Sequence, residues 1–181
     1  SGDVLIVAAT VKRGVGYEIP SGWVRMMEET STGLTLVIFR RIADGSESGS
    51  LFIEWTGPYH AQAFMMRFTG ATGRVEINFD NTGPASATPQ APSITPPYNN
   101  FLALRVGAFT AEAFDFSSPG VISSDGLHSD IDRETAPTPG VSPTTAVSLA
   151  AAYRNFTSGG NSGTATFNVQ NSIGYLSATI A

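Results

Sequence analysis

Apolar residues in this chain come in short runs of five to eleven, set between clusters of Gly, Pro, Ser, Asn and Asp. Short apolar or alternating runs bounded by turn residues read as β-strands. They fall at Asp3 to Val11, Trp23 to Met27, Leu34 to Ile42, Ser50 to Trp55, Ala61 to Thr69, Val75 to Phe79, Asn100 to Phe109, Thr164 to Val169 and Ile173 to Ile180. Asp44-Gly45 supplies a hairpin turn, and Pro20-Ser21-Gly22 turns the chain into Trp23. Residues 81–98, NTGPASATPQAPSITPPY, cannot be helical, because proline lacks the N–H and clashes with the preceding turn. They read as an extended crossover with an edge strand near APSIT. Residues 115–144 carry Pro119, Pro137, Pro139 and Pro143 and read as irregular. Only Ala146 to Phe156 is ambiguous, since its alanines favour helix and its neighbours favour strand.

An internal likeness decides for strand. Laid over each other without gaps, 39–55 and 153–169 match Arg40 with Arg154, Gly45 with Gly159, Ser48 with Ser162 and Gly49 with Gly163, with Phe39 on Tyr153 and Trp55 on Val169. DVLIVAATV and NFLALRVGAF are also alike. The chain therefore reads as two similar four-strand halves, about 1–80 and 98–181, joined by the Pro-rich crossover. The expected fold is an all-β antiparallel sandwich, jelly-roll-like, forming a single domain over 1–181.

Composition narrows the function classes. A chain of 181 residues buries a core without staples, and the absence of cysteine removes disulfides and thiolate metal sites. A net charge of −5 argues against a phosphate-neutralising surface, so no nucleic-acid partner is expected. No apolar run reaches the roughly 18 residues of a membrane helix, so no membrane insertion is expected. VLIVAAT has no basic segment before it and meets Thr10, Lys12 and Arg13 directly, which reads as a folded strand and not a targeting core. Charged residues make up only 14%, which suits a surface covered by neighbouring subunits.

Candidate chemistry is thin. Gly14-x-Gly16 follows a strand, but a dinucleotide loop needs a third Gly opening a helix, and Pro20 follows instead. SESG and GGNSG are not nucleophile elbows, and a serine triad would need His60 or His128. DGLHSDIDRE gathers Asp125, His128, Asp130, Asp132 and Glu134, a spacing that can wrap Ca²⁺ but lacks the full calcium-loop pattern. Glu54, Glu76 and Asp80 could serve glycoside hydrolysis only if two of them faced each other across a cleft. Trp23, Trp55, Tyr59, Tyr98, Phe114 and Phe116 lie at strand ends or in loops. Such rings stack on sugars or anchor interfaces; for Trp23 and Trp55 the simpler reading is that they plug the ends of the sandwich core. No catalytic, cofactor-binding or metal-ligating set is assigned, and no cofactor is expected.

Gly2-Asp3-Val4-Leu5, Pro20-Ser21-Gly22-Trp23, Gly33 to Ala43, Ser50 to Trp55 and Arg67-Phe68-Thr69-Gly70 together resemble a β-sandwich module recurrent in bacteriophage structural proteins and bacterial surface proteins. In phages such modules occur in tail fibres, minor tail proteins and head-decoration proteins. The resemblance covers most of the chain, is strongest over 2–70, and carries over no functional residue. It implies a non-enzymatic virion protein, a capsid decoration (cement) or tail-fibre/minor-tail subunit. Such a subunit works as a homo-oligomer against other virion proteins, located on the virion. A carbohydrate-binding adhesin recognising host surface glycan is the alternative, and a glycan-cleaving enzyme a third. The compared modules carry a strand before Gly-Asp, so residues 3–11 are expected to have an open edge filled by upstream residues or another subunit.

Overall fold

The computed structural model describes residues 2–12, 16–31, 33–47, 50–56, 60–71, 73–80, 85–110, 122, 127–136, 146–170 and 172–181, with backbone alone for 132–136. Among these there are eleven strands and no helix: β1 (Val4–Val11), β2 (Val24–Ser31), β3 (Leu34–Ile42), β4 (Ala61–Phe68), β5 (Ile77–Asp80), β6 (Gln90–Ala91), β7 (Phe101–Thr110), β8 (Ser129–Ala136), β9 (Val147–Phe156), β10 (Ala165–Thr166) and β11 (Tyr175–Ile180). One sheet has the order β2-β3-β1-β4, a second the order β5-β11-β7-β9-β8, and β10 pairs with β6 alone. All these pairings are antiparallel.

The two large sheets pack face to face as a sandwich. Strand side chains alternate between faces, so Val4, Ile6 and Ala8 of β1 and Leu34, Leu36 and Ile38 of β3 point inward. They meet Leu104, Val106 and Ala108 of β7 and Val147, Leu149 and Ala151 of β9. β4 lies over β8 and β9, and β11 lies over β2 and β3.

Each sheet is also covered on its outer face. Val7, Ala9, Val37 and Phe39 of the first sheet lie under Tyr17, Trp23, Leu51, Ile53 and Trp55. On the second sheet Phe109, Ala150, Ala152 and Tyr175 lie under Ala91, Ile122, Ala165, Phe167 and Ile173. The segments 51–55 and 165–169 thus act as straps across the two outer faces. This explains why β1, β7 and β9 read as largely apolar runs: β1 is buried at every position, β7 at all but its second and last, and β9 over its first six residues. Gly107 sits where a Cβ would come within 2.6 Å of the Phe109 ring and 2.8 Å of the Phe167 ring, so glycine is what lets these rings pack directly against the backbone of β7.

The likeness between halves extends to local irregularities. In strand order β2, β3, β1 and β4 correspond to β8, β9, β7 and β11. β2 has a bulge against β3 between the partners of Phe39 and Ile38, and β8 has one against β9 between the partners of Ala152 and Ala151. A bridge Tyr17 to Trp55 ties the segment before β2 to its strap, and Ile122 to Phe167 does the same before β8. The bulges relate β3 to β9 by 113 positions, one fewer than the ungapped overlay. Facing agrees: Phe39 lies on the outer face while Tyr153, its partner in that overlay, packs on the inner core.

Several expectations are corrected. Residues 3–11 have no open edge, because β1 is central and hydrogen-bonded to both β3 and β4. Ser50 to Trp55 forms a strap with a single bridge, not a ladder strand. Within the supposedly irregular 115–144 lies β8, whose sequence SDIDRETA hides it, since an edge strand needs no apolar period. Trp23 and Trp55 cover an outer face instead of plugging the sandwich ends.

Candidate interaction surface

The residues singled out for chemistry scatter. Gly14, Tyr59, Phe114, Phe116 and Asp125 lie outside the described residues. The Gly16 carbonyl accepts from the Thr56 N–H at 3.0 Å and thereby holds the strap end. His60 precedes β4 and His128 precedes β8; the register of the two sheets puts them at opposite ends of the sandwich. Among the described residues no three His, Cys, Asp or Glu side chains cluster as a metal site. Asp130 is exposed on the edge strand β8, whose backbone also carries Asp132 and Glu134. Glu54 rides on a strap, while Glu76 and Asp80 flank β5, about 13 Å apart at strand rise, beyond the roughly 5–9.5 Å of paired glycosidase carboxylates.

The turn at 44–47 is a closed carboxylate network. Asp44 accepts from Ser46 Oγ at 2.5 Å and Ser46 N–H at 2.8 Å, and Glu47 accepts from the backbone N–H of Asp44 and Gly45 at 2.9 and 3.0 Å. Arg41 lies 3.4 Å from Asp44 and 3.3 Å from Glu47. The Ser46 bonds hold Asp44 below the usual carboxylate range, and the backbone bond from Asp44 does the same for Glu47. A lowered folded pKa gives support that is complete above the ordinary value near 4 and is lost as the pH falls through the folded one. NMR titration should place both carboxyl midpoints below their model-peptide values, and Ser46→Ala should raise that of Asp44. Midpoints at or above the ordinary values would contradict this network.

The sequence reading missed Arg105. It is fully buried on the outer face of β7. Its guanidinium donates to Pro92 O at 2.7 Å, Thr179 Oγ1 at 2.6 Å, Ser162 O and Oγ at 3.1 Å each, and Gly163 O at 2.9 Å. The reason lies in the crossover. A Pro-rich segment has few N–H groups to ladder onto a sheet, so its carbonyls are satisfied by side chains beneath it. Ser177 Oγ donates to Gln90 O at 2.7 Å and Thr179 Oγ1 to Pro92 O at 2.5 Å. Ser162, the supposed hairpin-tip serine of GGNSG, is 6% exposed and also accepts the Ile94 N–H at 3.0 Å. Its role is structural.

Several large apolar side chains remain exposed. Phe52 is 75% exposed, Met65 59%, Val24 58% and Leu127 55%. Phe52 rides on the first strap and Met65 on β4. A groove of about 1160 Å³ opens between the sheets at the end where β1 and β7 begin, lined by Met66, Phe68, Leu102, Tyr153, Arg67 and Arg74 among others. Tyr98 also lines it. Burial foremost, then the nearby Glu76, raises the Tyr98 pKa, and the hydroxyl is buried without a hydrogen-bond partner among the described residues. Family models, curated proteins and solved structures give no match to this chain. A second, smaller cleft of about 290 Å³ lies between Tyr17, Glu18, Glu54 and Trp55, with the two rings 5.2 Å apart. Among the described residues no helix is long and apolar enough to cross a membrane.

Proposed function

We propose that this chain is a non-enzymatic structural subunit of a bacteriophage virion, a capsid decoration or tail-fibre/minor-tail protein that binds neighbouring virion proteins as an oligomer. The observation that carries the reading is the pairing of a thoroughly covered sandwich with large apolar side chains left in solvent, Phe52 and Met65 foremost. Both outer sheet faces are already strapped, so these residues are surplus to folding and suit burial against a partner. Sparse charge fits the same role.

A second reading has one observation of its own. Tyr17 and Trp55 flank the small cleft together with Glu18 and Glu54, a combination of rings and acceptors that suits a sugar. This would make the chain a glycan-binding adhesin. Mixing the purified subunit with assembled phage heads and, separately, tails should give saturable attachment to one of them at a fixed copy number, with no binding on a glycan array. Phe52→Asp should weaken attachment without lowering the melting temperature. Specific sugar binding that is lost in Trp55→Ala, with no attachment to particles, would establish the adhesin instead.

A further inference from the structure

We infer that the outer edge of β4, unpaired among the described residues, takes up with the groove beside it an extended strand of a neighbouring polypeptide, antiparallel to β4 along Ala63–Met66. The incoming strand has apolar residues at alternate positions and acidic ones between or after them.

Sheet edges invite pairing unless they are protected by charge, bulges or shortness. Three of the four are protected. β2 carries Arg25, Glu28 and Glu29 and a bulge; β8 carries Asp130, Asp132, Arg133 and Glu134 and a bulge; β5 has only four residues. β4 is eight residues long with Arg67 its only charge, and its register against β1 runs unbroken.

The second half of the chain shows what occupies such an edge. β11 corresponds to β4, and its far side is paired with β5, Ile77 opposite Ile180 and Asp80 opposite Ser177. Through the 114-residue spacing that relates β4 to β11, these positions fall on Met66 and Ala63. Beside β5 the gap between the sheets is filled: Gly73 O accepts from Arg40 at 2.9 Å, and Val75 and Ile77 pack on the inner core. On the β4 side no described strand takes that place, and the groove at the sandwich end reaches Met65, Met66 and Phe68 of β4 as well as Val75 and Ile180. Outer faces differ in the same sense. Tyr175, Ser177 and Thr179 of β11 are buried under the crossover, whereas Ala61, Ala63 and Met65 of β4 are exposed.

Chemistry specifies the strand. The groove is apolar inside, and the charged side chains among its described lining are Arg74 and Arg67, the latter paired with the Asp3 carboxylate at 2.5 Å. An acidic strand with alternate apolar residues matches it, as the chain's own Val75-Glu76-Ile77-Asn78-Phe79-Asp80 matches β11. The inference rests on the virion reading for the identity of the partner and on the sheet geometry for the mode of contact.

The probe is a synthetic peptide of residues 74–83, with a control in which Val75 and Ile77 are serine. Titration of the intact chain with the first should saturate at one site and slow amide exchange of residues 63–66 about tenfold or more; the control should do neither. Consecutive strand residues send their N–H groups to opposite sides. Of Ala63→Pro and Phe64→Pro, the one that keeps the wild-type melting temperature has therefore lost its outward N–H, and it should no longer bind. Unchanged exchange in β4 at saturating peptide overturns the inference. So does a dimer cross-linked through β4 that the peptide cannot displace, since the edge then takes a second β4. Peptide binding without attachment to phage particles overturns only the virion reading. Attachment that survives the proline variant, with no peptide binding, overturns only the added strand.

Discussion

Arg105→Ala is expected to lower stability by about 3–5 kcal/mol, since it strands several buried acceptors and leaves a hole the size of a guanidinium. For a chain of this length that is a fall of roughly 6–20 °C in melting temperature. Arg105 joins three segments that share no continuous ladder: the crossover through Pro92, β11 through Thr179, and the second strap through Ser162 and Gly163. Arg105→Met keeps much of the volume and removes every donor, so it separates packing from hydrogen bonding. It should fall nearer to alanine than to wild type. Arg105→Lys should recover only part of the loss, because one ammonium cannot reach the crossover and the strap in the fork geometry of a guanidinium. Thermal unfolding of the three variants checks this. An alanine variant melting within about 2 °C of wild type, no more than the shift of about a single kcal/mol, would show that the crossover is held some other way.

Phe167→Ala should cost about 3–5 kcal/mol, the range for a fully buried ring. Phe167 is 1% exposed and meets Phe109 edge to face at 5.3 Å, above Gly107. The ring is what the second strap contributes, and nothing else in that strap has its volume. The contrast is Phe52 on the first strap. At 75% exposure, Phe52→Ala should shift stability by no more than about 0.5 kcal/mol. Denaturant unfolding of both variants measures the pair. Equal losses would mean that Phe52 is part of the folded core and not a spare contact surface.

The strands read most closely from the sequence are β1, β3, β4, β7 and β9, whose limits fall within about a residue of those expected. β1, β3, β7 and β9 are dominated by Val, Leu, Ile, Ala and Phe. The same runs contained a message that was passed over: a strand in a plain two-layer sandwich alternates, and one that does not must be covered outside as well. The straps follow from that, but which residues form them does not, because Leu51, Ile53 and Trp55 look like one more strand. β8 was hidden by its charges, which protect an edge and erase the period. Arg105 was hidden by its setting in LALRVGAF, where a lone arginine gives no sign that it faces proline carbonyls. The candidate surface was legible only as sparse charge. Its place, the edge of β4, needs the sheet order, and sheet order depends on pairings between distant segments.

The division of strands between the sheets has a consequence in time. Every strand of the first sheet lies within residues 4–68, and every strand of the second lies beyond residue 76. On a ribosome the first sheet is complete, with its straps, before any of its facing sheet exists. Val4, Ile6, Leu36 and Ile38 then present a bare apolar face until the strands within 77–180 have been made, seconds at ordinary rates of synthesis. The nascent chain is therefore most exposed to misassociation between the synthesis of its two sheets, and slowing elongation between residues 70 and 180 should reduce the yield of folded protein more than slowing it before residue 70.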